Sequence, residues 1–240
     1  MRALIVARRE FFSNFESHAG YVIVAMFPAL SAVLFFFVGD IFFTYNETNL
    51  RHFFANMPIL IATIAPAMAM RVWAEELRSG TIERLMTLPF SVTELVVGKF
   101  LGVWAIFAFA LTCTFLVPVT ADLLGDLDWG PVIAAYIGTL FMAGAALAIC
   151  CYLSAITTSQ IVAWILGAGV LLLLNLVHLL ASAPFIPQGL GEFMLGIDMS
   201  QNFNSLARGV IDISAIGFYS AVIIGSLIAN TLSLRARRYR

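Results

Sequence analysis

Few residues of this chain could do chemistry in an apolar setting, and two of them, Asn175 and His178, stand three apart in an apolar run. On a helix that spacing puts both on one face. Polar groups inside a membrane span point to a transport pathway or a reaction site. They serve equally well as an interhelical hydrogen bond worth about 0.6 kcal/mol, and both readings stay open. Asp122, Asp126 and Asp128 have the chemistry of a cation site, yet three acids in one short loop fit a solvated turn. Lys99 is expected near the inner end of a span, with its ammonium snorkelling to the interface. His18 and His52 are expected at membrane edges. Cys113, Cys150 and Cys151 lie in apolar runs, without zinc-site or disulfide spacing, and read as small packing residues. No GxxxxGK[ST] phosphate loop, HExxH or GxSxG motif is present. Nucleotide chemistry would therefore belong to another chain, and no metal or cofactor site is expected on this one. Asn46-Glu47-Thr48 has the form of a glycosylation sequon, which is common by chance.

The elements that hold these residues are apolar helices. Of 240 residues, 61% are hydrophobic and only 11% are charged, and mean hydropathy is +0.96. Soluble domains carry about 25% charged residues, so an ordinary soluble enzyme, a disordered chain and a nucleic-acid-binding domain are all excluded. The apolar residues come in six runs, near 20–39, 53–70, 95–118, 131–155, 161–181 and 215–234. Each approaches the 20 or so residues that cross about 30 Å of hydrocarbon. Continuous runs argue for helices rather than barrel strands, and the expected fold class is all-α, polytopic, with six transmembrane helices.

Placing both termini inside leaves eleven of the thirteen Lys and Arg on the inner side and eight of the fourteen acids outside, the asymmetry of a cytoplasmic inner face. The basic start leads into a mixed segment rather than a signal-peptide core, so an uncleaved signal anchor is expected. Within residues 1–19, Leu4, Ile5, Phe11, Phe12 and Phe15 fall on one helical face, with Arg2, Arg9, Ser13 and Glu16 opposite. This predicts an amphipathic interfacial helix, or else a charged lead-in that sets topology. Arg8 interrupts the apolar face and must snorkel or find a partner. The inner stretch 71–94 is the most informative. Gly80 can break the helix leaving span two, Thr81 can cap a new short helix, and Ile82, Leu85 and Met86 share its apolar face up to Pro89. Such an element suits docking into a groove of another protein, or else is a solvated connector; the separation of charged from apolar residues favours the former. The outer stretch 182–214 is long and apolar enough to fold back as short broken helices. Small residues at Gly138, Gly144, Ala145 and Ala148, and at Gly167 and Gly169, allow close helix contact, within the subunit or at a homodimer seam.

The block from Ala67 through Arg71-Val72-Trp73-Ala74-Glu75-Glu76 and Ser79-Gly80-Thr81-Ile82-Glu83 to Pro89, continuing to Val97-Gly98-Lys99-Phe100-Leu101, resembles the signature of ABC-2 type permeases. The likeness is strongest to the gliding-motility type subfamily, related to copper-enzyme maturation permeases. Met142-Ala143-Gly144-Ala145, Ser154-Ala155-Ile156-Thr157 with Gln160, and Ala207 to Asp212 resemble it too, so nearly the whole chain is covered. The resemblance implies one transmembrane domain over 1–240 that serves as the permease subunit of an ATP-binding-cassette exporter. It implies a coupling helix after span two that contacts a separate ATPase subunit through Glu75, Glu76, Gly80, Thr81, Glu83, Arg84, Leu85 and Leu88. Residues 1–19 would be the interfacial connecting helix and 182–214 an outer re-entrant loop. ATP and magnesium would sit on the ATPase partner. A second permease copy or a related permease, together with the lipid bilayer, would complete the assembly in a bacterial inner membrane, and no nucleic acid is implied. The alternatives are a non-transporting subunit that transmits movement to an extracytoplasmic assembly, and an intramembrane enzyme built on His178 and Asn175.

Overall fold

The computed structural model describes residues 2–16, 18–37, 50–82, 90–125, 127–182, 187–209 and 212–238. Asn46, Glu47, Thr48, Glu83, Arg84, Leu85, Leu88 and Asp126 lie outside them. Every regular element among the described residues is a helix: α1 Arg2–Glu16, α2 His18–Phe37, α3 Arg51–Ala55, α4 Met57–Ala69, α5 Arg71–Ser79, α6 Val92–Cys113, α7 Leu116–Leu124, α8 Trp129–Ile156, α9 Gln160–Ala181, α10 Gln188–Ile197, α11 Met199–Ala207 and α12 Ile213–Arg238. Five segments are long and apolar enough to span a bilayer: Met57–Ser79, Val92–Leu124, α8, α9 and Ile213–Arg237. The pair α1–α2, bent by 80°, makes a sixth when taken as one span.

Two boundaries differ from the sequence reading. The second span does not end at Met70; its helix runs on through α5 to Ser79, where Gly80 stops it as the sequence leads one to expect. The third span breaks at Thr114 and continues as α7 past Pro118, which sits in the first turn of α7. Proline is tolerated there because a first-turn N–H has no intrahelical partner. The stretch 182–214 contains two short helices, α10 and α11. Met199, Phe203 and Leu206 of α11 are fully buried.

The spans are unequally enclosed. In the windows that qualify them, 72% of the Met57–Ser79 segment and 67% of α8 is buried, against 22% of α9 and 17% of the α12 segment. The inner spans therefore form the core, and the outer faces of α9 and α12 present bare aliphatic side chains such as Ile161, Leu173, Ile224 and Leu232. In water such faces would be unstable; against lipid tails they are at no disadvantage. The small residues work mainly within the chain. A Cβ on Gly138 would lie 2.8 Å from Leu206, and one on Gly167 would lie 3.1 Å from Pro66 and Cys150, whereas Gly169 faces open space.

Three long-range contacts place several helix ends together. Ser154 of α8 bonds the α4–α5 joint, Lys99 of α6 reaches both α1 and α5, and Arg237 Nη2 of α12 donates to the Ile156 carbonyl that closes α8 (3.0 Å). These contacts define one end of the bundle, here called the basic end.

Candidate functional site

At the basic end the chain must turn α4 into α5 without losing backbone hydrogen bonds. The first N–H groups of any helix lack intrahelical partners. Here the Ser154 hydroxyl accepts from the N–H groups of Trp73 (3.2 Å) and Ala74 (3.1 Å), and donates to the Met70 carbonyl (3.0 Å). One side chain of α8 thus pins the start of α5 to the core.

α5 is strongly two-sided. Val72, Trp73 and Ala74 are buried, while Arg71, Glu75, Arg78 and Ser79 are exposed. Gly80 ends it at φ +69, a left-handed conformation that costs glycine nothing. The Ser79 hydroxyl lies 2.9 Å from that of exposed Thr81. Ile82 packs partly on the core. The Ser91 hydroxyl accepts from the Glu94 N–H (3.1 Å) while the Glu94 carboxylate accepts from the Ser91 N–H (2.8 Å). This capping box starts α6. Its Ser-x-x-Glu spacing was legible in the sequence and passed over there.

Lys99 does not snorkel. It is 3% exposed, and its ammonium donates to Glu76 Oε1 (2.6 Å) and to the Val72 carbonyl (2.9 Å). It stands 4.8 Å from the centre of the Trp73 ring and 3.8 Å from Glu10 Oε2. The cause is close approach of α1. A Cβ on Gly98 would lie 2.6 Å from the Val6 Cβ, and one on Gly102 would lie 2.7 Å from the Glu10 Cβ. Glycine at both positions lets α1 lie on α6 and bring Glu10 toward the ammonium, while α5 supplies Glu76 and the Val72 carbonyl, so Lys99 has no need to reach water. The spacing Gly98-x-x-x-Gly102 was the available signal.

This contact also divides the apolar face expected of residues 1–19. Val6, Ala7, Phe11 and Phe15 pack on the core, with Phe15 edge-on to Phe109 of α6. Leu4, Ile5 and Phe12 remain exposed. Arg8 finds its partner in the Phe12 ring, 5.8 Å away. Between α1, α5 and α6 lies a cavity of about 470 Å³, whose charged lining is Arg9, Glu10, Arg71, Glu75, Glu76 and Lys99.

Of the residues expected to contact a partner, Glu75, Gly80 and Thr81 are exposed at the end of α5. Glu76 instead turns inward to Lys99. Its Oε2 and the Trp73 indole N–H are buried without hydrogen-bond partners.

The structure does not join Asn175 and His178 to each other. The Asn175 amide donates to the Leu171 carbonyl of its own helix (2.8 Å), and its Oδ1 is buried without a partner. His178 meets Asp198, whose Oδ2 accepts from the His178 backbone N–H (2.7 Å) and lies 2.9 Å from Nδ1. Asp198 is fully buried and caps α11 by accepting from the Gln201 N–H (2.9 Å). The sequence reading counts this acid among the outer-side charges of the 182–214 stretch; α10 and α11 fold it against α9. Asp128, from the acidic loop, caps α8. Among the described residues no group of three metal-ligating side chains occurs, and no nucleophile is hydrogen-bonded to His178.

The sequence pattern of the family described as ABC-2 family transporter protein matches residues 4–234. No curated protein matches the chain.

Proposed function

The chain belongs to the ABC-2 family of transporter proteins and is a multi-pass permease subunit of an ABC transporter; from that premise we propose that α5 is the lever by which a separate ATPase subunit drives it. The observation that carries this reading is the asymmetry of α5. One end is pinned to α8 by Ser154, its middle contacts Lys99 of α6, and the other end stops at Gly80 with Glu75, Arg78 and Thr81 exposed.

In this reading Glu75, Gly80 and Thr81, together with Glu83, Arg84, Leu85 and Leu88 beyond them, form the contact with the ATPase. Glu76 supports that contact from behind. ATP and magnesium bind the partner. Nucleotide binding favours one arrangement of the partner, α5 follows, and the spans shift between two states by the difference in nucleotide affinity. The subunit works in a bacterial inner membrane beside a second permease copy or a related permease, with the gliding-motility type as its subfamily and export as its direction. The basic end faces the cytoplasm, because basic residues concentrate there, and both termini lie on that side.

The test is affinity purification from the native host in mild detergent. An ATP-binding subunit should co-purify with the wild-type chain and be lost from a Glu83→Arg, Leu85→Asp double variant. Absence of any ATP-binding subunit from the wild-type preparation would overturn the reading.

A further inference from the structure

We propose that Lys99 is a two-position latch. Its ammonium is bound to Glu76 in this structure and passes to Glu10 when α5 shifts away. The inference rests on the lever reading of α5 and deepens it by naming the contact through which α5 engages the spans.

The first argument is the uneven satisfaction of the three groups. A lysine ammonium has three donors. Two go to Glu76 Oε1 and the Val72 carbonyl, both on α5. The Glu10 carboxylate, on α1, is 3.8 Å away, within ion-pair range but too far for a hydrogen bond. Glu76 Oε2 is buried and has no hydrogen-bond partner among the described residues. A purely static strut would be expected to satisfy its buried carboxylate. Here one acid holds the cation incompletely while a second stands ready beside it.

The second argument is mechanical. Gly98 and Gly102 flank Lys99 and bring α1 against α6, so Glu10 and Lys99 belong to one body. Glu76 and Val72 belong to α5, the element with an exposed end. A small displacement of α5 separates Lys99 from Glu76 while its distance to Glu10 is kept. All three side chains line the same cavity of about 470 Å³, which gives the ammonium room to swing and admits water to the carboxylate it leaves. In so enclosed a place a charge between partners is costly, so the exchange runs between two bound states rather than through a continuum. While the latch is closed, α5 carries α1 and α6 with it; once it is open, α5 moves alone.

The test uses the full complex, purified with its ATP-binding subunit and held in lipid nanodiscs. Nitroxide labels are placed at Phe12→Cys on α1 and Arg78→Cys on α5, in a background with Cys113, Cys150 and Cys151 replaced. Pulsed dipolar spectroscopy then reads the α1–α5 distance with and without magnesium and a non-hydrolysable ATP analogue. Wild type should show two distances whose ratio depends on nucleotide. Glu10→Gln removes the competing acid and should move that ratio about tenfold toward the closed distance. Glu76→Gln should move it about as far the other way. Lys99→Met should abolish the nucleotide dependence. Opposite shifts from two isosteric amides cannot come from general loosening of the fold. Amides that shift the ratio in the same direction, or not at all, would overturn the latch while leaving the lever reading intact. If no ATP-binding subunit accompanies the wild-type chain, the lever reading fails and the latch falls with it.

Discussion

Among the described residues, Lys99 at the basic end and Asp198 at the far end are the most deeply buried charged side chains, and the two are held differently. Asp198 accepts from the His178 backbone, lies in hydrogen-bond range of the His178 ring and caps α11, so both of its oxygens are engaged at 2.7 to 2.9 Å. Lys99 has one close acid, one distant acid and an adjoining cavity. A saturated buried charge has no second arrangement of comparable energy, so it fixes geometry. At the basic end Glu76 Oε2 lacks a hydrogen-bond partner among the described residues and stands beside free volume, which leaves room for a second arrangement. The far end is held as a saturated corner between α9 and α11, and on the latch proposal the basic end is a joint.

The largest expected effect tests the corner. Asp198→Ala leaves the His178 and Gln201 N–H groups without their acceptor and should cost about 3–5 kcal/mol, as breaking a buried charged contact does. Lys99→Met should cost less, about 1–3 kcal/mol, because the cavity lets water reach the acids left behind. Reversible unfolding of both variants in mixed micelles compares them directly. A Lys99→Met cost equal to or above that of Asp198→Ala would break the contrast.

An intermediate effect sharpens the picture of the joint. Ser154→Ala removes three hydrogen bonds where α4 meets α5 and should destabilise by about 1–3 kcal/mol. Hydrogen exchange should rise at Trp73 and Ala74 before it rises elsewhere in α5; uniform exchange would mean that α5 is not pinned there. The smallest effect lies at the exposed tip. Gly80→Ala places a side chain at φ +69 in otherwise open space and should cost about 1 kcal/mol, without changing exchange at Trp73. A rise there would show that the tip and the pinned start of α5 do not behave as separate parts.

The sequence by itself determined the fold class and the family. Five of the six apolar runs lie in described helices long and apolar enough to cross a membrane, and the first does so only together with α1; they are helical because backbone groups in lipid must be satisfied within their own segment. Basic residues close in sequence to the helix ends marked one side of the bundle. The block from Arg71 to Glu83 carried the resemblance that the family match bears out at the level of the ABC-2 transporters. Local signals also covered the Gly80 stop. Only the tertiary structure decided which polar side chains meet. Lys99 pairs with Glu76 across 23 residues, Ser154 holds backbone groups 80 and 81 residues away, and Asp198 leaves its loop to meet His178. The physical reason is that the energy of a charge depends on what surrounds it. In the sequence Lys99 and Asp198 lie near segment ends, where water is the default partner. Burial by α1 through Gly98 and Gly102, and by the α10–α11 pair, replaced that water with partners distant along the chain, a replacement that exists only once the helices have packed.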